Sequence, residues 1–350
     1  MAIKDRKADH IRICKGERVA PGYCYWDDIR LMHNALPELN KDDIDMSCNL
    51  FGKKLDVPIV VTAITGGFAG AKKINANIAK ACAELGMGMG VGSERAGVKG
   101  VSPESYSVIK DYDVPLVIGN IGAVQLIPQK NGEMYDEDMI EQAVELVDAD
   151  ILAVHLNPLQ EMVQPEGDTN FEGCWEAIRS LARKGPVMVK ETGAGISKQV
   201  VDRLKGIGIQ GIDIAGMGGT SFSAVEFYRA LENEDTIRAN IGDTFFDWGI
   251  PAPVSLAQCK DSGLTTIASG GMLDGIHVAA SIAMGADAAG VANVILKDAT
   301  ESAAAVKEKL TIIKEELRTA MLLTGSKDLK QLSKARYVVL GETKEWMDQL

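Results

Sequence analysis

Eight short apolar runs recur along the chain, and each is followed by a glycine-rich or polar turn and then by an amphipathic stretch. The runs are nearly continuous in Val, Ile, Ala and Met, which is typical of strands buried on both faces of a parallel sheet. The predicted strands are Val57–Ala63, Met87–Gly92, Pro115–Gly119, Ile151–Asn157, Pro186–Lys190, Gly211–Ala215, Thr265–Ser269 and Asp287–Ala292. The predicted helices are Lys72–Leu85, Pro103–Lys110, Glu137–Val147, Glu172–Lys184, Ser197–Leu204, Val254–Ser262, Gly275–Met284 and Glu301–Leu323.

Eight parallel strands with eight crossovers can close into a barrel, which leaves no exposed sheet edge. We therefore predict an α/β fold of the (β/α)8 TIM-barrel class, as a single domain over residues 1–350. An open doubly wound sheet is the alternative. Residues 1–56 form an N-terminal extension, and the chain after Gly325 forms a C-terminal helical tail. The connection 216–253 exceeds the usual length of about 4–6 residues, and long loops of this kind are often lids.

Composition narrows the class of protein and its partners. The 350 residues are 46% hydrophobic and 25% charged, and the net charge of −12 argues against nucleic-acid binding. Six cysteines are scattered without a paired spacing, as in reduced intracellular proteins. No apolar run approaches the roughly 20 residues of a membrane span, and no segment resembles a signal peptide. We expect a cytoplasmic protein that binds neither nucleic acid nor membrane.

Polar or glycine-rich residues follow every predicted strand. Barrel enzymes place their active sites at this carboxyl end of the strands. The residues at the eight strand ends are Ala63-Ile64-Thr65-Gly66-Gly67, Gly92-Ser93-Glu94-Arg95, Asn120, His155-Leu156-Asn157-Pro158-Leu159-Gln160-Glu161, Lys190-Glu191-Thr192-Gly193, Gly218-Gly219-Thr220-Ser221, Ser269-Gly270-Gly271 and Ala292-Asn293.

The turn after the seventh strand is the best candidate for a phosphate cradle. In Ser269-Gly270-Gly271-Met272 the glycines allow close backbone approach, and the free N–H groups of a helix that begins after Asp274 favour an anion. A glycine pair alone is usually only a tight turn. However, Ala292-Asn293 follows the next strand, and the loops after strands seven and eight are the usual phosphate site of this fold. Together they predict a phosphate-bearing cofactor.

The fourth strand end carries candidate metal ligands. Strand periodicity puts His155 and Asn157 on one side of the sheet, and Gln160 and Glu161 follow in the loop. A carboxylate beside amide oxygens suits Mg²⁺. A histidine alone on a strand is more often a core residue, but this cluster favours a site. Lys190 closes a buried strand, where it either reaches solvent at the barrel mouth or stabilises negative charge on a bound group.

A basic segment near the N-terminus offers a second anion site. Arg6, Lys7 and His10 lie within one helical turn, with Arg6 and His10 four residues apart. The segment is either a charged surface turn or a binding site for a diphosphate. In such a site Arg can donate two parallel hydrogen bonds, and Lys acts as a point charge.

These strings, in this order, resemble the type 2 isopentenyl-diphosphate delta-isomerases, which are FMN-dependent. The resemblance covers essentially the whole chain. The glycine-rich turns are shared with many FMN barrels, whereas the N-terminal Arg-Lys pair combined with His-Leu-Asn and Gln-Glu is specific. The matching strings are Arg6-Lys7-x-x-His10, Thr65-Gly66-Gly67, Gly92-Ser93-x-Arg95, His155-Leu156-Asn157, Gln160-Glu161, Gly218-Gly219-Thr220-Ser221, Asp247-Trp248-Gly249-Ile250-Pro251 and Ser269-Gly270-Gly271.

The resemblance implies an isomerase that interconverts isopentenyl and dimethylallyl diphosphate by protonation and deprotonation. It implies reduced FMN as the proton-shuttling group, NADPH as its reductant, Mg²⁺ on the diphosphate, and a homotetramer or homo-octamer. FMN would be lined by Ala63, Ile64, Thr65, Ser93, Asn120, Lys190, Thr220, Gly271, Ala292 and Asn293. The substrate would contact Arg6, Lys7, His10, Ser93, Arg95 and Gln160, the metal would contact Glu161, and the catalytic residues would be His155, Asn157, Gln160 and Lys190.

One position departs from the family pattern. The family usually has Gly-Gly-Ile-Arg after the seventh strand, where this chain has Gly270-Gly271-Met272-Leu273, so a phosphate grip there must rest on backbone N–H groups. The alternative function is an FMN-dependent 2-hydroxy-acid oxidase or dehydrogenase on the same barrel. Such an enzyme needs a base at the substrate carbon, often His, and His277 lies in a helix pattern that places it badly. A non-catalytic flavin- or phosphate-binding protein is a third hypothesis.

Overall fold

Eight parallel strands close into a barrel, as the apolar runs predict. The computed structural model describes the backbone of residues 3–130 and 132–350 and the side chains from Arg6 onward. Neighbouring barrel strands follow chain order, and the last strand pairs with the first, with Ala289 opposite Ile59. The open-sheet alternative is therefore wrong. The barrel strands are Ile59–Val61, Gly88–Gly90, Val117–Gly122, Ile151–Leu156, Val187–Glu191, Gly211–Asp213, Thr265–Ala268 and Ala288–Val291.

Helices surround the barrel, and each of the eight predicted helices has a counterpart. In the described residues no helix is both long and apolar enough to cross a membrane. The α-helices are Ile3–Gly16, Ala69–Leu85, Arg95–Val98, Glu104–Ser107, Glu137–Val147, Pro158–Val163, Cys174–Ala182, Lys198–Leu204, Phe222–Glu232, Thr236–Thr244, Ala252–Cys259, Gly275–Met284, Leu296–Glu301, Ala303–Thr324, Leu329–Leu332 and Gly341–Asp348. Short 3₁₀ helices cover Tyr25–Asp28, Lys41–Asp43, Val108–Asp111, Ala123–Leu126 and Asn293–Ile295.

The connection 216–253 is not the long loop that the sequence predicts. It contains the helices Phe222–Glu232 and Thr236–Thr244, which pack against each other. Both have a capping residue that the sequence shows: Ser221 Oγ accepts the N–H of Ala224 at 3.2 Å, and Asp235 Oδ1 accepts the N–H of Arg238 at 3.1 Å. The connection is therefore a helical pair, whose first helix contacts the N-terminal helix Ile3–Gly16.

The N-terminal extension and the C-terminal tail meet in a small sheet beside the barrel. Strand Ile29–Leu31 pairs antiparallel with strand Tyr337–Val339, so the tail contains a strand as well as helices. The carboxylate of Asp28 adds a bond across the same contact, because its Oδ2 accepts the N–H of Thr343 at 3.0 Å. The two ends of the chain thus stabilise each other.

A hairpin of strands Cys48–Leu50 and Lys53–Leu55 covers the amino end of the barrel. Its fully buried Leu50 and Leu55 pack in one cluster with barrel side chains that include Val60 and Met188. A parallel barrel is filled by its own side chains and has no edge, but its ends need covering to exclude water. The hairpin covers the end opposite the polar strand ends.

The barrel interior changes from apolar to polar along the strand direction. Ala153 and Met188 pair in register and pack in the cluster under the hairpin. Side chains of a strand alternate between its two faces, so the residues two positions later, His155 and Lys190, also face the interior. Lys190 is in turn paired with Asp213 of the next strand. The strand period therefore directs a row of ionisable groups into the carboxyl end of the barrel.

The contribution of the apolar end of the barrel to stability can be tested separately from the polar end. Leu55→Ala should lower stability by about 2–5 kcal/mol, because the fully buried side chain leaves a cavity among barrel residues that can relax only in part. The exposed neighbour Lys54→Ala is the matched control and should stay within about 0.5 kcal/mol. Thermal unfolding followed by circular dichroism measures both. Equal midpoints for the two variants would contradict the role of the hairpin.

Candidate active site

A cavity of about 420 Å³ opens at the carboxyl ends of the barrel strands. This volume falls within the range of small-molecule sites, roughly 300–1,000 Å³. The structure places every predicted site residue on its wall, including those of the N-terminal arm. These residues are Arg6, Lys7, His10, Ala63, Ile64, Thr65, Ser93, Arg95, Asn120, His155, Asn157, Gln160, Glu161, Lys190, Thr220, Gly271, Ala292 and Asn293.

His155 is held as a neutral imidazole on the cavity floor. Asn120 Nδ2 donates to the carbonyl of Val91 at 3.0 Å, so Asn120 Oδ1 faces His155 Nδ1 at 2.9 Å and accepts a hydrogen bond from its N–H group. Burial, followed by the charges of Lys190 and Lys7, holds the pKa of His155 well below its ordinary value. His155 therefore carries its proton on Nδ1 and leaves Nε2 as an acceptor.

Lys190 has a buried counter-ion that was not predicted from the sequence. Burial lowers the pKa of Lys190, and the nearby carboxylates of Asp213 and Glu191 oppose that shift. Asp213 lines the cavity and accepts a hydrogen bond from Ser269 Oγ. A signal was available, because Asp213 is the one charged residue in the predicted strand Gly211–Ala215. Strand alternation places it on the interior face.

The glycine turn after the seventh strand has the geometry of an anion cradle. Gly270 has φ +99°, and a Cβ there would lie 2.1 Å from the carbonyl oxygen of Gly216, so only glycine fits. In the described part of the chain, the N–H groups of Gly219, Gly271 and Met272 have no acceptor. Buried or cavity-lining N–H groups without partners are a natural site for phosphate oxygens.

The start of the following helix does not contribute as predicted. Its first N–H groups are taken by side chains: Asp274 Oδ1 accepts those of Ile276 and His277 at 2.9 Å, and Glu316 Oε2 accepts that of Gly275 at 2.8 Å. The prediction that these groups are free for an anion is therefore wrong. The donors of the cradle lie in the glycine turns themselves.

Leu273, which stands where the family pattern has Arg, lines the cavity with a half-exposed side chain. The turn that precedes it is held from behind by the N-terminal extension and by the next helix. Trp26 Nε1 donates to the carbonyl of Gly270 at 2.8 Å, and the N–H of Leu273 donates to His277 Nδ1 at 3.3 Å. The shape of the cradle thus depends on residues outside the cavity.

The N-terminal arm is anchored to the first helix of segment 216–253. His10 Nε2 lies 2.9 Å from Oε1 of the buried Glu226, which also pairs with Arg229. Burial raises the pKa of Glu226, but the bonds with His10 and Arg229 outweigh that effect and lower it. Arg229 bonds in turn to Glu166 at 2.9 Å, and Arg6 lies 3.9 Å from the same carboxylate. Glu226 and Arg229 were not predicted because their helix lies in the segment taken as a long loop, and Glu166 was not predicted because its partners are distant in the sequence.

Three cations from two elements face the cavity beside one another. Burial and the guanidinium groups of Arg6 and Arg95 lower the pKa of Lys7 to about 7. Arg95 is fixed by Asp168, whose Oδ2 lies 2.6 Å from Arg95 Nη1. Like charges held this close favour an anion between them.

Glu161 has the surroundings of a metal ligand. Its Oε1 accepts from Asn157 Nδ2 at 2.8 Å, and its Oε2 accepts the N–H of Asp168 at 2.7 Å. The buried Asn157 Oδ1 beside it has no hydrogen-bond partner in the described residues. A buried acceptor left unpaired is costly, and a cation or one of its waters would satisfy it. Glu161, Asn157 and the side chain of Gln160, which also bonds to Asn157, offer the oxygen ligands that Mg²⁺ prefers.

Curated relatives match the chain over nearly its full length. A protein of Thermoplasma volcanium named isopentenyl-diphosphate delta-isomerase is 45% identical over 347 residues, which cover 99% of each chain. Proteins of the same name from Thermoplasma acidophilum and Archaeoglobus fulgidus are 43% and 42% identical, again over 99% of each chain.

The chain belongs to the isopentenyl-diphosphate delta-isomerase family.

The barrel of this isopentenyl-diphosphate delta-isomerase family member also has wider relatives. Residues 140–339, more than half of the chain, match the FMN-dependent dehydrogenase family. A flavocytochrome b2 variant with bound sulfite superposes with a TM-score of 0.67 at 16% identity, over 92% of this chain and 81% of that one. A mandelate oxidase variant gives 0.63 at 16% identity, over 97% and 99%. At such identities the likeness shows the fold alone, so it does not favour the oxidase alternative.

The pKa of Lys7 gives a test of the cation cluster in this family member. Lys7 is protonated below about pH 7, so binding of inorganic pyrophosphate should weaken by about tenfold from pH 6 to pH 8 relative to a variant without this charge. Calorimetry in two buffers of different ionisation enthalpy should show proton uptake on binding at the higher pH. Lys7→Gln is the control and should lose both effects. Identical profiles for the two proteins would show that Lys7 does not contact the anion.

Proposed function

We propose that the chain interconverts isopentenyl diphosphate and dimethylallyl diphosphate, using reduced FMN with Mg²⁺ on the diphosphate. The single observation that carries the proposal is that the basic arm and the strand-end residues share one cavity. Arg6 and Lys7 lie on the same wall as Glu161, while the glycine cradle of Gly271 lies at the strand ends. The cavity therefore offers two separate anion sites, one for a cofactor phosphate and one for a diphosphate.

The cavity residues fit FMN in their chemistry. The unpaired N–H groups of Gly219, Gly271 and Met272 would hold its phosphate, which compensates for the missing arginine at position 273. Lys190, which lies near Asp213, would place its positive charge beside the flavin ring. Asn120 and Thr65 would be polar neighbours of the same ring. When bound, reduced FMN supplies an electron-rich ring that can carry a proton and stabilise positive charge on the substrate.

The chain's own side chains bind and orient the diphosphate. Arg6, Lys7 and Arg95 supply positive charge, with Gln160 and Ser93 as neutral donors on the same wall. Glu161 and Asn157 would hold Mg²⁺ against the same group. These contacts are remote from the reacting carbons, so their binding energy can position the alkene for proton transfer.

His155 is suited to orient the substrate and not to donate the proton. It is neutral at physiological pH and presents Nε2 as an acceptor, because Asn120 holds its Nδ1 proton. A neutral acceptor among cations can receive a hydrogen bond from the Lys7 ammonium or from a metal-bound water. We therefore propose that His155, Asn157 and Gln160 position the diphosphate and the metal, while Lys190 acts at the cofactor.

The helical segment 216–253 and the arm would together cover the bound substrate. Thr220 and Phe222 at the start of this segment line the cavity, and Glu226 pairs with His10 of the arm. Water excluded from the site cannot quench a cationic intermediate. We further propose NADPH as the reductant of the flavin, a homotetramer or homo-octamer as the assembly, and the cytoplasm as the location.

The rival is an FMN-dependent 2-hydroxy-acid oxidase or dehydrogenase. It needs a histidine base beside the substrate carbon, whereas His277 is buried behind the cradle, with its Nε2 3.2 Å from Asp27. The family of the curated relatives also favours isomerisation. The two functions differ in redox balance, because only the rival consumes an electron acceptor in proportion to product.

NMR of isopentenyl diphosphate with the purified protein, FMN, NADPH and Mg²⁺ tests the proposal. We expect dimethylallyl diphosphate to form with NADPH needed only to reduce the flavin, and deuterium to enter both compounds in heavy water. Absence of both product and exchange from the reduced, metal-loaded protein would refute the isomerase function. Stoichiometric consumption of an acceptor with a 2-hydroxy acid would establish the rival.

Glu161→Gln tests the metal assignment. The variant keeps the size of the side chain but removes the charge that Mg²⁺ requires, so turnover should fall by about 100-fold or more. Bound flavin, measured by its absorbance, should be unchanged because Glu161 is not part of the cradle. Glu172→Gln, an exposed acid in the same connection, is the matched control and should keep full activity. Full turnover of Glu161→Gln would refute the assignment.

A further inference from the structure

Three potential metal ligands meet behind the phosphate cradle, outside the cavity. The thiol of Cys24, the carboxylate of Asp27 and an imidazole nitrogen of His277 all lie within 4.8 Å of one another. No residue of this cluster lines the active-site cavity. Their sequence separation hides them, since Asp27 and His277 are 250 residues apart.

The local backbone explains how the first two ligands converge. Cys24 directly precedes the 3₁₀ helix Tyr25–Asp28, and Asp27 lies three residues further on. A 3₁₀ helix has three residues per turn, so side chains three apart lie above one another. His277 enters from the first turn of helix Gly275–Met284 and is 3% exposed. The ring therefore approaches the Cys24–Asp27 pair from the protein interior.

The charges in this cluster are not balanced by a basic side chain. Among the side chains that the structure describes, from Arg6 onward, no lysine or arginine pairs with Asp27, whose ion-pair partner is His277 at 3.2 Å. The Asp27 side chain is 60% exposed, so one side of the cluster is open to water. A half-buried thiol and a carboxylate side by side would both gain from a divalent cation between them.

We propose that Cys24, Asp27 and His277 form a binding site for a borderline-soft divalent cation of the Zn²⁺ class. Thiolate, imidazole and carboxylate are the three ligand types of zinc, and three protein ligands with one water complete a tetrahedron. Mg²⁺ is a hard ion that prefers oxygen ligands, so this site is chemically distinct from Glu161. Its assignment does not depend on the isomerase activity.

Binding of the cation requires one proton to be lost and another to move. The Cys24 thiol releases its proton to solvent and becomes a thiolate. His277 binds through Nε2, so the neutral ring carries its proton on Nδ1, which lies 3.9 Å from Asp274 Oδ1. The bond of 3.3 Å from the N–H of Leu273 to Nδ1 is then given up. Occupancy of the site therefore changes a backbone contact next to the cradle.

A cation here would tie the N-terminal extension to the helix that follows the cradle. Trp26, between the two ligands of the 3₁₀ helix, already bonds to Gly270 of that cradle. A ligand that binds the native state and not the unfolded chain stabilises the native state by mass action. Zn²⁺ should therefore raise the thermal unfolding midpoint of the full-length, FMN-loaded protein.

The test uses Zn²⁺ and Co²⁺ on FMN-loaded protein from which metals have been removed with a chelator. We expect one Zn²⁺ per chain in competition with a chromophoric chelator. The Co²⁺-minus-Zn²⁺ difference spectrum cancels the flavin and should show a thiolate-to-cobalt charge-transfer band. That band separates this site from an oxygen-ligand site at Glu161, which contains no sulfur.

Two conservative variants keep the test independent of folding. Cys24→Ser should abolish the charge-transfer band, and Asp27→Asn, at an exposed position, should weaken Zn²⁺ binding by at least about tenfold. Cys174→Ser, which changes another half-buried thiol, should leave both unchanged. A wild-type protein without the band, or a band that persists in Cys24→Ser, would overturn the proposal.

Discussion

The closed parallel barrel is the constraint on which the rest of the molecule depends. Closure brings all eight strand ends to one rim, and the two-residue period of a strand decides which side chains enter the interior. Ala153 and Met188 fill the core under the hairpin, and the same period then directs His155 and Lys190 into the cavity. A shift of one residue in either strand would turn both sets of side chains out of the interior, so the register that packs the core also positions the ionisable groups.

Buried charge is the second organising influence, because each ionised group inside the protein needs a partner. Lys190 has Asp213, and Glu226 has His10 and Arg229. The Glu226 contacts do more than stabilise the fold. They hold the N-terminal arm against a helix of segment 216–253, which brings Lys7 and Arg95 from distant parts of the chain to one wall. Charge pairing beneath the cavity thus holds a set of cations on its wall.

Local sequence patterns predicted the barrel and a large part of the polar cavity wall. The strand runs and the rule that barrel sites lie at strand ends were sufficient for His155, Glu161 and Gly271, since each lies at or within a few residues of a strand end. The arm was found from its basic cluster and from the family resemblance. All of these predictions rest on residues that are close together in the sequence or that belong to a known motif.

The features that were missed depend on contacts between distant segments. Glu226 is 216 residues from His10, and its importance is visible only once both helices are placed. Free N–H donors were predicted at the helix start, but these groups donate to Asp274 and Glu316, and no local pattern reveals the bond from the N–H of Gly275 to Glu316. Asp213 is the exception, because an acid within an apolar barrel strand must face either a partner or a site.

The absence of an arginine at position 273 is best understood through the same long-range contacts. In the proposed cofactor site an arginine would add a charged donor to the phosphate, and without it the donors are backbone N–H groups whose directions depend on the shape of the turn. Trp26 and His277 fix that shape from behind, through Gly270 and the N–H of Leu273. Backbone donors are effective only when they are held in place. The N-terminal extension therefore supports the proposed cofactor site, although none of Cys24, Trp26 or Asp27 reaches the cavity.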